Sequence, residues 1–332
     1  MSVPLIIFLL CLTLIMGGCQ NGSHDSYAGD NNHTGMSGLT LTFISEQNDL
    51  IQVELNDRLE VINENTLTAE DDEVYAYDWS PDGLKLAYIS AVSPHPDGSR
   101  ALIIMKPGEE VEVLLQDWML CRVDWSFDGD FLAVDSGTDA SGRELKIFST
   151  ASQSMVATLG YVYGYCWAPD RPVLAIGMPK EVTPPLPVED GRSASTVIFL
   201  FPENRMWEIK EGTSEHMFVP ERWLDGERFV IRDLLNHTAD AFWEVNLKDQ
   251  NNPMIYSFQR DEDPRFSAEA TLEAKARECF TVDSIYDWQW SPNGQLVSFV
   301  LVKEGKPQIF VAPLTTLELI PLAVGVMPRW KP

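Results

Sequence analysis

The chain has 332 residues, of which 50 are Asp or Glu and 24 are Lys or Arg, so its formal net charge is −26 at pH 7. Binding to nucleic acid or to a membrane through basic residues requires a positive patch, and this balance speaks against both. The length and the 45% hydrophobic content are typical of one large or two small globular domains. The acidity is explained by solubility, or by a surface that attracts cations or basic partners.

Residues 1–18 predict a signal peptide. The apolar run from Val3 to Met16 has the length of a signal sequence and is short for a membrane span. It ends in Gly17-Gly18-Cys19, which resembles a bacterial lipobox. The resemblance implies cleavage before Cys19 and attachment of lipid to its sulfur. An ordinary secretory signal with an incidental Cys is the alternative.

Residues 19–38 predict a disordered tether, because they are rich in Asn, Gly and Ser and contain few side chains that could be buried. The folded domain is therefore expected to span residues 39–332. It opens with three predicted strands, Leu39–Ser45, Leu50–Leu55 and Leu59–Ile62.

A tight turn beside a tryptophan then recurs along the chain. Asp78-Trp79-Ser80-Pro81-Asp82-Gly83 joins a strand end to the residues of a type I turn, in which the glycine supplies a positive φ. An apolar run that predicts a buried strand follows. Related stretches, with 40 to 67 residues between successive tryptophans, carry the repeat residues Trp79, Gly83, Trp125, Gly129, Trp167, Trp223, Gly226, Trp290, Gly294 and Trp330.

Each complete repeat contains four predicted strands, and the fourth strand of the last complete repeat is predicted over Leu317–Pro321. The shorter repeats have the length typical of a propeller blade. The last tryptophan strand, Val326–Trp330, has no blade after it, whereas the first three strands have no tryptophan strand before them. We therefore predict an all-β, six-bladed β-propeller of four-stranded blades. The C-terminal strand is expected to join the N-terminal blade and close the ring, which removes exposed sheet edges.

The Trp-Ser-Pro-Asp-Gly turns and the strands after them resemble the repeats of TolB-type six-bladed β-propellers, and also those in the propeller of prolyl oligopeptidases. The resemblance covers about Leu39 to Trp330 and is weakest at Trp223, where the Ser and Pro are absent. It implies that the tryptophans pack between blades and that the Asp-Gly pairs form turns. It also implies non-catalytic binding in the cell envelope.

Two insertions interrupt the repeat. Pro179–Ser195 is rich in proline, which predicts a long loop that either binds a partner or has no role. Asp261–Ser284 contains an Ala- and Glu-rich stretch, Ser267–Arg277, that predicts a short helix with a Glu273–Arg277 ion pair. Pro264 and Ser267 are predicted to stop the preceding chain and to cap this helix.

A search for catalytic motifs finds no G-x-S-x-G, no H-E-x-x-H and no phosphate-binding glycine loop. Three histidines fall within the predicted domain, His95, His216 and His237, and a metal shared by the last two is a minor alternative to ordinary loop residues. No cofactor or metal is expected. Cys121 and Cys166 lie on consecutive tryptophan strands, so a disulfide between them is possible, but buried free thiols are favoured.

Tyrosines precede two of the tryptophan turns, Tyr75 and Tyr77 before the first, and Tyr161, Tyr163 and Tyr165 before the third. Alternation puts each set on one face of a strand, where it packs between blades or lines a channel for a sugar or peptide. The sequence thus predicts a membrane-anchored envelope lipoprotein whose single propeller binds an envelope protein. The alternative is a small-ligand-binding or hydrolytic propeller with a site in its central channel.

Overall fold

The computed structural model describes residues 38–69, 72–91, 99–106, 111–138, 142–160, 162–179, 194–200, 205–213, 215–235, 241–249, 253–259 and 263–332. The predicted signal peptide, Cys19, most of the tether and nearly all of the Pro179–Ser195 insertion lie outside these ranges, as do His95 and His237. Within the described ranges, no helix has the length and apolar character needed to cross a membrane.

Antiparallel strands make up most of the described chain. The first eleven are β1 (Leu39–Ser45), β2 (Leu50–Leu55), β3 (Val61–Thr66), β4 (Val74–Trp79), β5 (Leu86–Ala91), β6 (Ser99–Met105), β7 (Glu112–Trp118), β8 (Leu120–Trp125), β9 (Phe131–Thr138), β10 (Gly142–Ser149) and β11 (Ser154–Gly160). The next eight are β12 (Gly164–Trp167), β13 (Val173–Pro179), β14 (Ala194–Leu200), β15 (Arg205–Lys210), β16 (Phe218–Trp223), β17 (Arg228–Asp233), β18 (Phe242–Asn246) and β19 (Met254–Ser257). A helix, α1 (Pro264–Cys279), then precedes β20 (Ser284–Trp290), β21 (Leu296–Lys303), β22 (Lys306–Pro313) and β23 (Ile320–Trp330).

The chain divides into two compact units. The first, here the terminal unit, comprises the described residues of Gly22–Gly160 and Arg260–Pro332. The second, here the middle unit, comprises the described residues of Tyr161–Gln259. The middle unit contains two four-stranded sheets, with strand orders β12-β13-β14-β15 and β16-β17-β18-β19. Apolar side chains of both sheets, among them Ile198, Phe229 and Ile231, form one buried cluster between them.

The terminal unit contains three sheets. Two are four-stranded, β4-β5-β6-β7 and β11-β10-β9-β8, and the third has seven strands in the order β20-β21-β22-β23-β1-β2-β3. Strand alternation gives each sheet two apolar faces, as the fully buried Leu86, Ala87 and Ile89 of β5 illustrate. Ala87 and Ile89 pack against Trp125 of the neighbouring sheet.

The seven-stranded sheet brings the two ends of the described chain together. The first half of β23 pairs with β22, through Ile320 opposite Val311, and its second half pairs with β1, through Trp330 opposite Leu41. The predicted pairing of the C-terminal strand with the first strand of the domain is therefore present. At the crossover, a Cβ on Gly325 would lie 2.5 Å from the carbonyl oxygen of Ile44, so only glycine fits there.

Two predicted strand boundaries are wrong for the same reason. The strand predicted to begin at Leu59 begins at Val61, and the strand predicted over Leu317–Pro321 begins at Ile320. Leu59 and Leu317 both have positive φ values, of 60° and 54°, and their backbone N–H groups donate to residues three and four positions earlier. Their apolar side chains therefore belong to turns, where apolar content alone does not distinguish them from strand residues.

The predicted helix is present but longer, and its cap is corrected. It begins at Pro264, and Asp263 caps it by accepting hydrogen bonds from the backbone N–H groups of Arg265 and Phe266, so Ser267 lies inside the first turn. Pro264 suits the first helical position because its missing N–H would have no helical partner there. The predicted Glu273–Arg277 ion pair is present, with a shortest separation of 2.8 Å.

Candidate functional site

The repeat tryptophans are held by hydrogen bonds as well as by packing. Five are buried, with 3 to 6% of their surface exposed, and Trp290 is half-buried. The indole N–H groups of three repeat tryptophans donate to a backbone carbonyl on the preceding tryptophan strand: Trp125 to Asp78, Trp223 to Cys166 and Trp330 to Gln289, at 3.1 to 3.3 Å. In each case the acceptor is the residue directly before a tryptophan. The repeat thus links consecutive tryptophan strands at equivalent points.

Two repeat tryptophans of the terminal unit donate to side chains instead of to a backbone carbonyl. The indole N–H of Trp79 donates to the hydroxyl of Thr42 on β1, at 3.1 Å. That of Trp290 donates to Glu269 on α1, also at 3.1 Å, and this glutamate is 96% buried by the same packing that buries Leu272. The helix therefore supplies the acceptor that a preceding strand supplies at other repeats.

Glycine is required in the repeats for two separate structural reasons, a positive φ in the turns and a close approach of a neighbouring side chain. Gly83, Gly129 and Gly294 have φ values of 66°, 74° and 65°, as the predicted turns require. Gly226 has no such φ; instead, a Cβ there would lie 1.8 Å from a carboxylate oxygen of Asp170, so the glycine permits a close approach. The weakest repeat therefore keeps its glycine for packing.

The residue before each repeat tryptophan is a polar residue or a cysteine. These residues are Asp78, Asp124, Cys166, Arg222, Gln289 and Arg329. All are buried or half-buried. A buried charge is costly unless it is paired or hydrogen-bonded, so this position is where function or a specific structural constraint is expected.

In the terminal unit, five side chains of this region form what we call the inner-strand cluster: Asp78, Arg122, Asp124, Asp287 and Arg329. Arg122 Nε lies 2.6 Å from Asp124 Oδ2, and Arg329 Nη1 lies 2.7 Å from Asp287 Oδ1. Asp78 Oδ2 accepts a hydrogen bond of 2.8 Å from the backbone N–H of Trp125. The cluster is therefore two ion pairs and a third carboxylate bound to backbone.

Burial and, after it, the negative charge of Asp124 raise the pKa of Asp78 to about 7, against the opposing effects of the Trp125 N–H group and Arg329. Burial alone would lower the pKa of Arg329, but the negative charge of Asp287 holds it above its usual value. Asp78 is therefore partly protonated near neutral pH, while Arg329 stays charged.

Tyr77 lies next to the cluster and joins three strands. Its hydroxyl oxygen is 2.5 Å from the carbonyl oxygen of Thr42 and 2.7 Å from that of Met327, so the one proton is shared between acceptors on β1 and β23. Burial raises the pKa of Tyr77 well above its usual value. The tyrosines were predicted either to pack between blades or to line a channel. Tyr77 and Tyr165 agree with packing, since each is only 1% exposed.

A second buried carboxylate lies beside a thiol. Burial raises the pKa of Asp135 to about 6, although Arg143, 3.5 Å away, opposes the shift. Burial also raises the pKa of Cys121 to about 12, which makes this thiol a poor nucleophile. Cys121 and Cys166 are both free thiols, the favoured alternative, and so is the exposed Cys279.

The middle unit holds a histidine–carboxylate pair that the sequence analysis did not single out. His216 Nδ1 lies 2.6 Å from Oδ2 of Asp233, which is fully buried and also accepts backbone hydrogen bonds from Met217 and Leu235. The imidazole stacks on Phe218 with a centroid distance of 5.7 Å. Its side chain is 46% exposed, so the pair presents an oriented imidazole to solvent.

Across the ranges that the structure describes, no group of three or more His, Cys, Asp and Glu side chains is placed to hold a metal ion. The sequence did contain one signal for the inner-strand cluster, because aligning the tryptophan strands shows the polar residue before each tryptophan. The His216–Asp233 pair had no comparable signal, since it depends on the register that places Phe218 opposite Asp233.

A scan against protein-family models and a search of curated proteins found no match to this chain. Solved structures do match. TolB from Acinetobacter baumannii is 13% identical with a TM-score of 0.50, over 89% of this chain and 67% of that one. A chain of the nidogen/laminin complex is 7% identical with a TM-score of 0.50, over 89% of this chain and 99% of that one. These likenesses support a β-propeller fold and, at such identities, concern the fold alone.

Proposed function

We propose that this chain is a non-catalytic bacterial envelope lipoprotein whose six-bladed propeller binds a protein partner. Six tryptophan strands, and the pairing of β23 with β1, support six blades in a ring closed by the C-terminal strand. The Gly-Gly-Cys sequence supports a lipid anchor at Cys19. The anchor would hold a single propeller at the membrane surface through residues 19–38.

The non-catalytic proposal rests on one observation: the charged side chains of the inner-strand cluster are paired with one another or bound to backbone. General acid–base catalysis requires a group that can exchange a proton with a substrate. Asp124 and Asp287 are instead neutralised by arginines within 2.7 Å, and Asp78 is bound to the backbone of Trp125. These contacts position neighbouring strands, so structure accounts for the charges of the inner-strand cluster.

Apolar side chains exposed on edge strands support a protein partner. One edge strand of each sheet of the terminal unit exposes an apolar side chain: Ile62 on β3, Val113 on β7 and Met155 on β11 are 62, 51 and 53% exposed. Exposed apolar side chains and unpaired strand edges are features of protein-binding surfaces. A chain of similar fold occurs in the nidogen/laminin complex, which is consistent with this use of the architecture.

The anchor and the partner are tested separately. Cys19→Ser should abolish labelling of the full-length chain by a fatty-acid probe in bacterial cells; equal labelling of variant and wild type would exclude the anchor. For the partner, in-cell crosslinking followed by purification and mass spectrometry should recover one envelope protein near stoichiometry. Recovery of nothing beyond the protein itself would count against the scaffold.

One observation favours the second candidate, a ligand-binding or hydrolytic propeller. His216 is oriented by Asp233 through Nδ1 and its side chain is 46% exposed, an arrangement that general-base catalysis can use. A screen of ester, amide and glycoside substrates tests it. Turnover that His216→Ala abolishes, in a variant that melts like the wild type, would replace the scaffold proposal with this one.

A further inference from the structure

The turn between β20 and β21 carries an amide where the turns of two other repeats carry a carboxylate. Asp82 Oδ1 accepts hydrogen bonds from the Ser80 hydroxyl at 2.6 Å and from the backbone N–H of Leu84 at 3.0 Å. Asp128 Oδ1 accepts from the serine two residues before it and the N–H two residues after it, at 2.6 and 3.1 Å. Asn293 Oδ1 accepts from the corresponding two groups at 2.7 and 3.1 Å. The three turns therefore hold this position in the same way.

Asn293 is followed by Gly294, an arrangement that favours loss of the side-chain amide. The Gly294 nitrogen forms a bond to Cγ of Asn293, the bond from Cγ to Nδ2 breaks, and the proton of the attacking nitrogen leaves with the departing ammonia. Water then opens the resulting succinimide ring to give aspartate or isoaspartate. Glycine favours ring closure because it has no Cβ to obstruct the approach of the two groups. Asn293 is exposed, so solvent water reaches the ring.

Hydrogen bonds of the folded turn hold both reacting groups. The Gly294 N–H donates to the carbonyl oxygen of Ser291 at 2.8 Å. Asn293 Oδ1 is fixed by the Ser291 hydroxyl and by the N–H of Gln295. Ring closure requires the nitrogen and the side chain to leave these partners. The folded turn therefore slows the reaction, and opening of the turn releases it.

The two products differ in whether the turn can form again. An aspartate at position 293 can accept from the Ser291 hydroxyl as Asp82 accepts from Ser80. The Ser80 hydroxyl, and after it the Leu84 N–H, lower the pKa of Asp82, so this turn favours a carboxylate. Isoaspartate instead lengthens the backbone by one carbon, which displaces the next N–H from its acceptor in the turn.

We propose that Asn293 is a deamidation site, converted when the turn opens, and that the aspartate product gives this turn the carboxylate present in two other repeats. This goes beyond the proposed function and does not depend on it. The conversion adds one negative charge, and refolding does not reverse it. It therefore marks chains in which the turn between β20 and β21 has opened.

Peptide mass spectrometry of the purified full-length chain, incubated in mildly alkaline buffer, tests the proposal. Asn246 is the matched control: its Oδ1 also accepts from the N–H two residues later, at 2.9 Å, and the Leu247 N–H is also bonded, to Glu227 at 2.8 Å, but no glycine follows it. Asn293 should convert at least about tenfold faster than Asn246, because glycine leaves the attack unobstructed. Unfolding in guanidinium chloride should speed conversion of Asn293 by at least about tenfold, because the turn is then open throughout.

The variant Asn293→Asp tests whether the turn favours the product. It should have a higher urea midpoint than the wild type at pH 7 and lose that gain in acid, as a carboxylate stabilised by hydrogen bonds does. A lower midpoint at pH 7 would overturn the claim that the turn favours a carboxylate. Equal conversion of Asn293 and Asn246 would overturn the deamidation site, and equal rates in the folded and the unfolded chain would overturn its control by the turn.

Discussion

Replacing Asp78 by Asn should change how the stability of the protein depends on pH. The pKa of this carboxyl is about 7 in the folded chain, raised chiefly by burial and then by Asp124, against an ordinary value of 3.8. Between these two pH values the native state keeps a proton that the unfolded state has released. The free energy of unfolding therefore falls as pH rises from about 4 to 7, and this contribution is fully lost above pH 7.

A pKa raised from 3.8 to about 7 corresponds to about 4 kcal/mol of stability that is lost as pH rises. Asn keeps an oxygen that accepts from the Trp125 N–H, 2.8 Å away in the native protein. Asp78→Asn should thus remove the fall in the free energy of unfolding that ionisation of Asp78 causes, and it should keep the hydrogen bond to Trp125. The variant should be more stable than wild type at pH 8 and lose less stability between pH 5 and 8.

Urea unfolding of both proteins at pH 5 and pH 8 measures the difference. Asp82→Asn is the control with the opposite sign, because the Ser80 hydroxyl and the Leu84 N–H lower the pKa of that exposed carboxyl. The ionised Asp82 carboxylate stabilises the folded protein above the pKa that this group has in the unfolded chain, and the stabilisation is lost only in acid. Asp82→Asn should therefore lower the free energy of unfolding equally at pH 5 and pH 8. An unchanged pH slope for Asp78→Asn would refute the account of the cluster.

Three further changes test the fold around the closing strand, each by thermal and urea unfolding. Gly129→Ala should cost about 1–2 kcal/mol because its φ is 74°, and Gly83→Ala should cost more, since a Cβ there also lies 3.0 Å from the Pro332 carbonyl oxygen; equal costs would remove a role for the C-terminal contact. Tyr77→Phe should cost about 1–3 kcal/mol by removing a buried hydroxyl donor; a cost near zero would contradict the bridging role. Deletion of Val326–Pro332 should expose the edge of β1 and cause aggregation or unfolding; unchanged melting would exclude closure through this strand.

The sequence predicted the repeat because local chemistry and burial agree there. At Ser80-Pro81-Asp82-Gly83, turn residues stand at the positions where their conformations are needed, and the same arrangement returns at Gly129 and Gly294. The pairing of β23 with β1 could be predicted by counting strands. The first three strands had no tryptophan strand before them, and the last tryptophan strand had no blade after it. Composition predicted helix α1 but not its first residue. Pro264 suits the first helical position, so the helix begins there and Asp263, rather than Ser267, is its cap.

The charged contacts could not be read from the sequence in the same way. Arg329 and Asp287 are 42 residues apart, and their ion pair exists because the fold brings β23 close to β20. The partner of His216 depended on the register of β16 against β17. Carboxylates are so numerous in this chain that composition alone could not indicate which of them are buried or paired.

Site-specific photo-crosslinking in cells tests the protein-binding claim most directly. A photoreactive amino acid is placed at Ile62, Val113 or Met155, one on each exposed edge strand, with the exposed polar positions Glu64 and Gln116 as matched controls on β3 and β7. The account predicts a discrete adduct with one envelope protein from at least one apolar position, and a weaker adduct from the control on the same strand where that position is Ile62 or Val113. Absence of an adduct from all three apolar positions, in cells where the protein is folded and anchored, would contradict it.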